Sequence, residues 1–195
     1  MGGLRQKTNV ILVEPLGPIN VGSVARLCEN FGVKELRLVS PRCDPNDNEA
    51  KKMAVKGKKL LESAQQYSSL LEAVSDCQRV VATCGRIDHG SIPLCGPEEA
   101  NTWALESPNS KPIALIFGRE DRGLTNQELQ LAQKVVTLKT ISTYPSLHNL
   151  IKFSTSQSFC SLSFPNQAPT NVLKPKSLAN TGILEFSSEQ EKVRI

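Results

Sequence analysis

The sequence predicts an α/β fold with a mostly parallel sheet and helices on both faces. Three observations predict it. Short apolar runs, VILV at 10–13, VVAT at 80–83 and IALIF at 113–117, have the pattern of strands buried on two faces. Segments with apolar residues at three- and four-residue steps separate them, as crossover helices do. The run Ala114–Phe117 breaks abruptly into Gly118 and the charges Arg119, Glu120, Asp121 and Arg122. Such a break marks the C-terminal end of a strand, where open α/β sheets hold their ligands, although four charges in a row are also the mark of a solvated turn.

In chain order, Val10–Val13 is the first strand. Residues 14–20 follow as a loop forced by Pro15, Gly17 and Pro18. Val21, Val24, Ala25, Cys28 and Phe31 recur at helical spacing, so a helix covers 21–31, with Asn20 suited to cap it and Gly32 to end it. Leu36–Val39 is the second strand and completes a right-handed β-α-β unit. In that unit Gly22 permits close approach to the start of the helix, while Arg26 sits nearly two turns past Asn20 on about the same side. A helical arginine so placed is ordinarily a surface residue.

Residues 42–59 are polar and basic, ending in Lys51, Lys52, Lys56, Lys58 and Lys59, which form either a solvated helix face or a phosphate-contact patch. Leu60–Ala73 has helical spacing, and Val80–Thr83 is a third strand that runs into Cys84 and Gly85. Ile87–Lys111, rich in Pro, Gly and Ser, reads as a long functional loop that carries the single tryptophan, Trp103. Ile113–Phe117 is the fourth strand. Thr125 with Glu128 makes a capping box, so a helix spans Asn126–Gln133 before a fifth strand, Lys134–Leu138. No G-x-G-x-x-G follows the first strand and no Walker motif occurs, so neither a Rossmann nor a P-loop site is supported.

The bulk numbers set limits. At 195 residues the chain accommodates one domain, 1–160, and a tail, 161–195, expected to be disordered. A net charge of +4 permits a polyanionic partner, and only 5% aromatic residues argue against a stacking platform for single strands. Six cysteines without a CxxC pair give no zinc or dithiol site, His89 has no companion at metal-ligand spacing, and no metal is expected. No apolar run has membrane-spanning length and no signal peptide is evident, so the expectation is a cytoplasmic protein with reduced thiols and no membrane partner.

Three blocks, Val13–Arg26 (VEPLGPINVGSVAR), Ile116–Thr125 (IFGREDRGLT) and Thr143–Leu147 (TYPSL), together resemble the signature segments of the SPOUT-class RNA ribose 2′-O-methyltransferases. The resemblance is to the SpoU/TrmH-like branch and, within it, to TrmJ-like enzymes acting on tRNA. It implies a C-terminal trefoil knot, a homodimer, an RNA partner and S-adenosyl-L-methionine as methyl donor. On the matching positions the donor is held by Thr83, Cys84, Gly85, Gly118, Leu138, Pro145, Ser146 and Leu147. Arg26 matches the catalytic arginine, and Asn20, Glu120 and Ser146 match residues that support it. A guanidinium hardly ever loses its proton, so positioning and charge stabilisation suit Arg26 better than a base's role, and a carboxylate clamp makes convergence of Glu120 on Arg26 expected.

After Leu147 the chain departs from the family pattern. His148 stands where an asparagine is expected, Asn149 follows one place late, and Pro165, Pro169 and Pro175 interrupt any helical period. Either residues 149–163 complete the knot in an atypical way, or the last fifth is replaced and the chain is a catalytically inactive RNA-binding relative.

Overall fold

Seven strands, every pair of neighbours parallel, form one sheet in the computed structural model, which describes residues 8–85, 94–106 and 111–137. Strand β1 (Thr8–Val13) pairs with β2 (Glu35–Val39) on one side and β6 (Ile113–Phe117) on the other. Strand β3 (Gln65–Tyr67) extends the β2 side, and β4 (Arg79–Cys84), β7 (Lys134–Thr137) and β5 (Leu94–Cys95) continue past β6, giving the order β3-β2-β1-β6-β4-β7-β5. The chain walks outward from β1 to β3, crosses to β4, and later inserts β6 between β1 and β4. That reversal is a topological switch point.

Alternate residues of β1 serve opposite faces, which is why its run is continuously apolar. Val10 and Leu12 pack with Leu36, Leu38 and Phe117 under helix α1 (Pro18–Phe31), whose Val21, Val24 and Cys28 are buried there. Ile11 and Val13 pack on the other face with Ile116, Val80, Leu70 and Leu129.

Helix α1 begins earlier than its apolar pattern. Gly17 is the N-cap and Pro18 occupies the first turn, where its fixed φ favours helix and its missing N–H costs nothing, so Asn20 is not the cap. Gly32 closes the helix at φ 62°, as expected of a left-handed C-terminal glycine. Gly22 does permit a close approach, but by the chain itself. A Cβ there would lie 2.1 Å from the Ala50 carbonyl oxygen of helix α2 (Asn48–Ala54).

The predicted helix over 60–73 is instead helix α3 (Lys58–Glu62), strand β3 and helix α4 (Leu70–Val74). The polar stretch 65–69 breaks the apolar period, and Ser69 restarts it by accepting the Glu72 N–H. The predicted loop 87–111 contains β5 and helix α5 (Pro97–Leu105), whose Ala100 and Ala104 are buried against Val81, Ile113 and Val136. Helix α6 is only Asn126–Leu129, because Gln133 is drawn into the sheet. Its amide donates to the Val80 carbonyl at 3.0 Å and its side chain accepts from the Val80 N–H at 2.6 Å. Two short edge strands thus raise the expected five to seven. The expected knot, Leu138, the TYPSL block and the tail fall outside the described residues. Among the described residues, no helix is long and apolar enough to cross a membrane.

Candidate functional site

The two blocks around Glu14 and Gly118 leave the sheet from neighbouring strands at the switch point, and two carboxylates, Glu14 and Glu120, hold them together. After β6 the backbone folds back on itself. Arg119 and Gly123 form an isolated bridge, Gly123 takes φ 71°, and a Cβ on Gly118 would sit 2.3 Å from the Gly123 carbonyl carbon. Any residue but glycine at 118 would therefore force this turn open. Thr125 and Glu128 form the expected capping box on α6.

Arg119 is buried, only 6% exposed, and points back between Glu14 and Glu128. Its two terminal nitrogens meet the Glu128 carboxylate at 2.9 and 3.0 Å, and one of them also donates to Glu14 Oε1. Glu128 therefore serves the helix cap and the ion pair together. The other Glu14 oxygen receives Arg42 at 2.6 Å and Arg122 at 3.5 Å. The hydrogen bond from Arg119, with further attraction from Arg42 and Arg122, holds the Glu14 carboxyl down at about 2 against an ordinary 4.5. Burial pushes the Glu128 carboxyl up, but the bonds from Arg119 and Thr125 outweigh it and leave the group below its ordinary value. Arg119 is raised, first by Glu14 and then by Glu128, so all three stay charged.

Glu120 makes a second clasp between the same two blocks. Its Oε2 accepts the Leu16 N–H at 3.0 Å and its Oε1 accepts from Asn20 Nδ2 at 3.1 Å. Asn20 and Glu120 thus meet directly. Arg26 does not join them. It is exposed two turns along α1 and has no hydrogen bond or ion pair among the described residues, and Glu120 already spends both oxygens on the loop. The expected Glu120–Arg26 clamp is therefore absent, and Glu120 fixes the loop that precedes α1.

On the other side of Gly118, β4 ends at Thr83, Cys84 and Gly85. Thr83 and Cys84 are buried and the Thr83 hydroxyl donates to the Ile116 carbonyl at 3.1 Å, so that side chain is committed to pinning β4 against β6. Gly85 is exposed where the strand stops. Cys84 is in register with Thr137, the last described residue of β7. Leu138, Pro145, Ser146 and Leu147 lie outside the described residues.

The clasp around Glu14 was not expected from the sequence, where Arg119 and Arg122 read only as members of a charge cluster. The signal was present, since Glu14 and Arg119 each follow a buried run closely, and neighbouring parallel strands bring such positions together.

The SpoU rRNA Methylase family model matches residues 7–151. The chain belongs to that family. It is 38% identical over 144 residues to the tRNA (cytidine-2'-O-)-methyltransferase TrmJ of Methanocaldococcus jannaschii, covering 72% of this chain and 61% of that protein. It is 35% identical over 143 residues to the tRNA (cytidine/uridine-2'-O-)-methyltransferase TrmJ of Salmonella typhimurium, covering 73% and 58%. This family member thus spans about three fifths of the length of the curated relatives it matches. Among solved structures, TrmJ from Z. mobilis superposes with a TM-score of 0.74 at 28% identity, over 87% of this chain and 73% of that one. A probable methylase family protein from Haemophilus influenzae gives 0.75 at 26% identity, over 89% and 74%.

Proposed function

We propose that the chain is an S-adenosyl-L-methionine-dependent RNA ribose 2′-O-methyltransferase acting on tRNA in the cytoplasm. The observation that carries this reading is the clasp of Glu120 on Leu16 and Asn20, which fixes the start of α1 beside the Gly118 turn and leaves Arg26 as an exposed cation on the same helix. The names of the TrmJ relatives support both the reaction and the substrate class. Cys28, Cys43, Cys77, Cys84 and Cys95 form no disulfide among the described residues, in keeping with a reducing compartment.

The residues present fit the methyl donor. Two adjacent parallel strands end side by side at the switch point, and both ends carry glycine, Gly85 exposed after β4 and Gly118 folded under its own turn after β6, so at Gly85 the backbone meets solvent with no side chain in front of it. Thr83, Cys84, Gly85 and Gly118 would hold the donor with Leu138, Pro145, Ser146 and Leu147, in a C-terminal knot completed across a homodimer. When bound, S-adenosyl-L-methionine supplies a methyl group on a positively charged sulfur.

A ribose 2′-hydroxyl is a weak nucleophile at neutral pH and must give up its proton, to the neighbouring phosphate or to water, as its oxygen bonds to carbon. Arg26 orients that hydroxyl and the neighbouring phosphate and stabilises the charge developing on oxygen, while Asn20, Glu120 and Ser146 hold the loops around it. An inactive RNA-binding relative would lack these steps. Incubating the purified chain with radiolabelled donor and tRNA transcripts, then digesting to nucleosides, tests the reading directly. We expect a 2′-O-methyl nucleoside, and a rate reduced about 100-fold in Arg26→Ala with unchanged melting, the size typical of losing one charge-stabilising group. RNA binding without methylation, or undiminished activity in Arg26→Ala, would remove it.

A further inference from the structure

The net positive charge of this protein is concentrated in one segment. Lys51, Lys52, Lys56, Lys58 and Lys59 fall within nine residues, residues 50–61 contain no acidic side chain, and the rest of the chain sums to −1 against a total of +4. Lys52, Lys56, Lys58 and Lys59 are exposed and Lys51 is half-buried, and none of the five side chains has a hydrogen bond or ion pair among the described residues. Two of the three lysines described elsewhere are paired, Lys34 with Glu35 at 3.2 Å and Lys134 with Glu99 at 2.8 Å.

The segment is also tightly seated. A Cβ on Gly57, in the 3-10 turn Val55–Gly57 that follows α2, would lie 2.4 Å from the Ala25 carbonyl oxygen and 2.8 Å from the Arg26 nitrogen. Together with the approach of Gly22 to Ala50, this presses the lysine-bearing turns directly against the turn of α1 that carries Arg26. Between Lys52 and Lys56, Val55 is held at φ 50° and is 48% exposed. A β-branched residue in that region is strained, and such strain persists only where the surroundings impose it.

We propose that residues 51–59 form the surface that grips the RNA backbone and presents a ribose to Arg26. The proposal rests on the methyltransferase reading. Lysine ammonium groups are point charges suited to phosphate, and the segment has no aromatic side chain to stack on a base and no amide side chain to read one. The contact is therefore with phosphates, strongly salt-dependent and indifferent to base sequence.

Fluorescence anisotropy of labelled tRNA transcripts on the full chain, across a series of salt concentrations, tests this. The combined variant Lys52→Ala, Lys56→Ala, Lys58→Ala and Lys59→Ala is compared with Lys34→Ala plus Lys111→Ala, whose charges precede the N-terminal ends of β2 and β6. We expect the slope of log affinity against log salt to shrink by roughly 3, at about 0.7–0.9 for each of the phosphates no longer neutralised. Affinity should fall about 10- to 100-fold, equally for unrelated tRNA sequences, with no change in the control. Melting temperature and calorimetric donor binding show that the fold is intact, and if the combined variant fails to fold, single Lys56→Gln and Lys58→Gln variants should each lower the slope by about 1. A wild-type chain that methylates tRNA while the lysine variants keep its full salt slope overturns the surface and leaves the enzyme standing. Loss of polyglutamate binding with tRNA binding retained assigns the patch to an acidic protein and overturns it too. A wild-type chain that binds no RNA ends both readings.

Discussion

At the ends of β1 and β6, Arg119 is buried and shared between Glu14 and Glu128. One helix away, Arg26 and the five lysines of 51–59 meet no carboxylate among the described residues. The first region spends its charges on itself. Glu14 and Glu128 saturate Arg119, while Glu120 saturates Asn20 and the Leu16 amide, so that two loops 100 residues apart in sequence are locked into one geometry. The second region keeps its cations free and relies on close glycine packing, Gly22 on Ala50 and Gly57 on Ala25, for its rigidity. The difference shows how one fold separates two tasks. Internal ion pairs fix position at little cost in binding capacity, and unpaired cations attract a polyanion because nothing in the protein neutralises them.

The two regions should diverge most at Arg119. Replacing it with alanine leaves Glu14 and Glu128 facing each other across a mostly buried gap, and breaking such a pair costs about 3–5 kcal/mol. Urea denaturation of Arg119→Ala should show that loss, whereas Arg26→Ala, made in the region without pairs, should stay within about 0.5 kcal/mol of the parent. Comparable destabilisation by the two would erase the distinction.

Acid titration gives the next effect. The Glu14 carboxyl titrates near 2 in the folded chain against 4.5 when unfolded, so the unfolded state takes up the proton first as pH falls. The stability that Glu14 contributes is therefore complete above about pH 4.5 and is lost progressively as pH drops toward 2. Discounted for solvent screening of its Arg42 and Arg122 contacts, the loss is about 1–2 kcal/mol. A Glu14→Gln variant should show a correspondingly flatter stability profile between about pH 5 and pH 2, and an unchanged profile would mean that Arg119 does not hold this carboxylate.

The same contrast accounts for what was legible in the sequence. The strands buried on both faces could be read because a short, unbroken apolar run between turn residues suits little besides a strand covered on two sides. The capping box at Thr125 and Glu128 is likewise a local pattern, confined to four residues. The helices and edge strands over 58–74 and 94–105 were not legible, since their pieces are short and depend on Ser69, Gly96 and Pro97 to start or stop them. In the site, the blocks containing Asn20, Arg26, Gly118 and Glu120 were visible as motifs. The partner of each charge was not, because Glu14–Arg119 and Asn20–Glu120 are set by strand order, which places β6 beside β1 only after several other strands have been laid down.

The smallest effect tests the lysine side. Val55 stands at φ 50° and ψ −107°, a backbone geometry that glycine reaches without a Cβ penalty, and its exposed side chain buries little that glycine would forfeit. Val55→Gly should therefore stabilise the chain by about 0.5–1 kcal/mol, the usual scale for relieving an unfavourable backbone region net of the extra chain entropy. If that strain is what keeps Lys52 and Lys56 seated against α1, the same substitution should weaken tRNA binding a few-fold while every lysine remains. Stability and affinity would then move in opposite directions in the region of free cations, whereas at Arg119 the expected change is a loss of stability. A destabilised Val55→Gly chain would show instead that the turn is held by the valine side chain, and the rigidity of this flank would have to come from Gly22 and Gly57 alone.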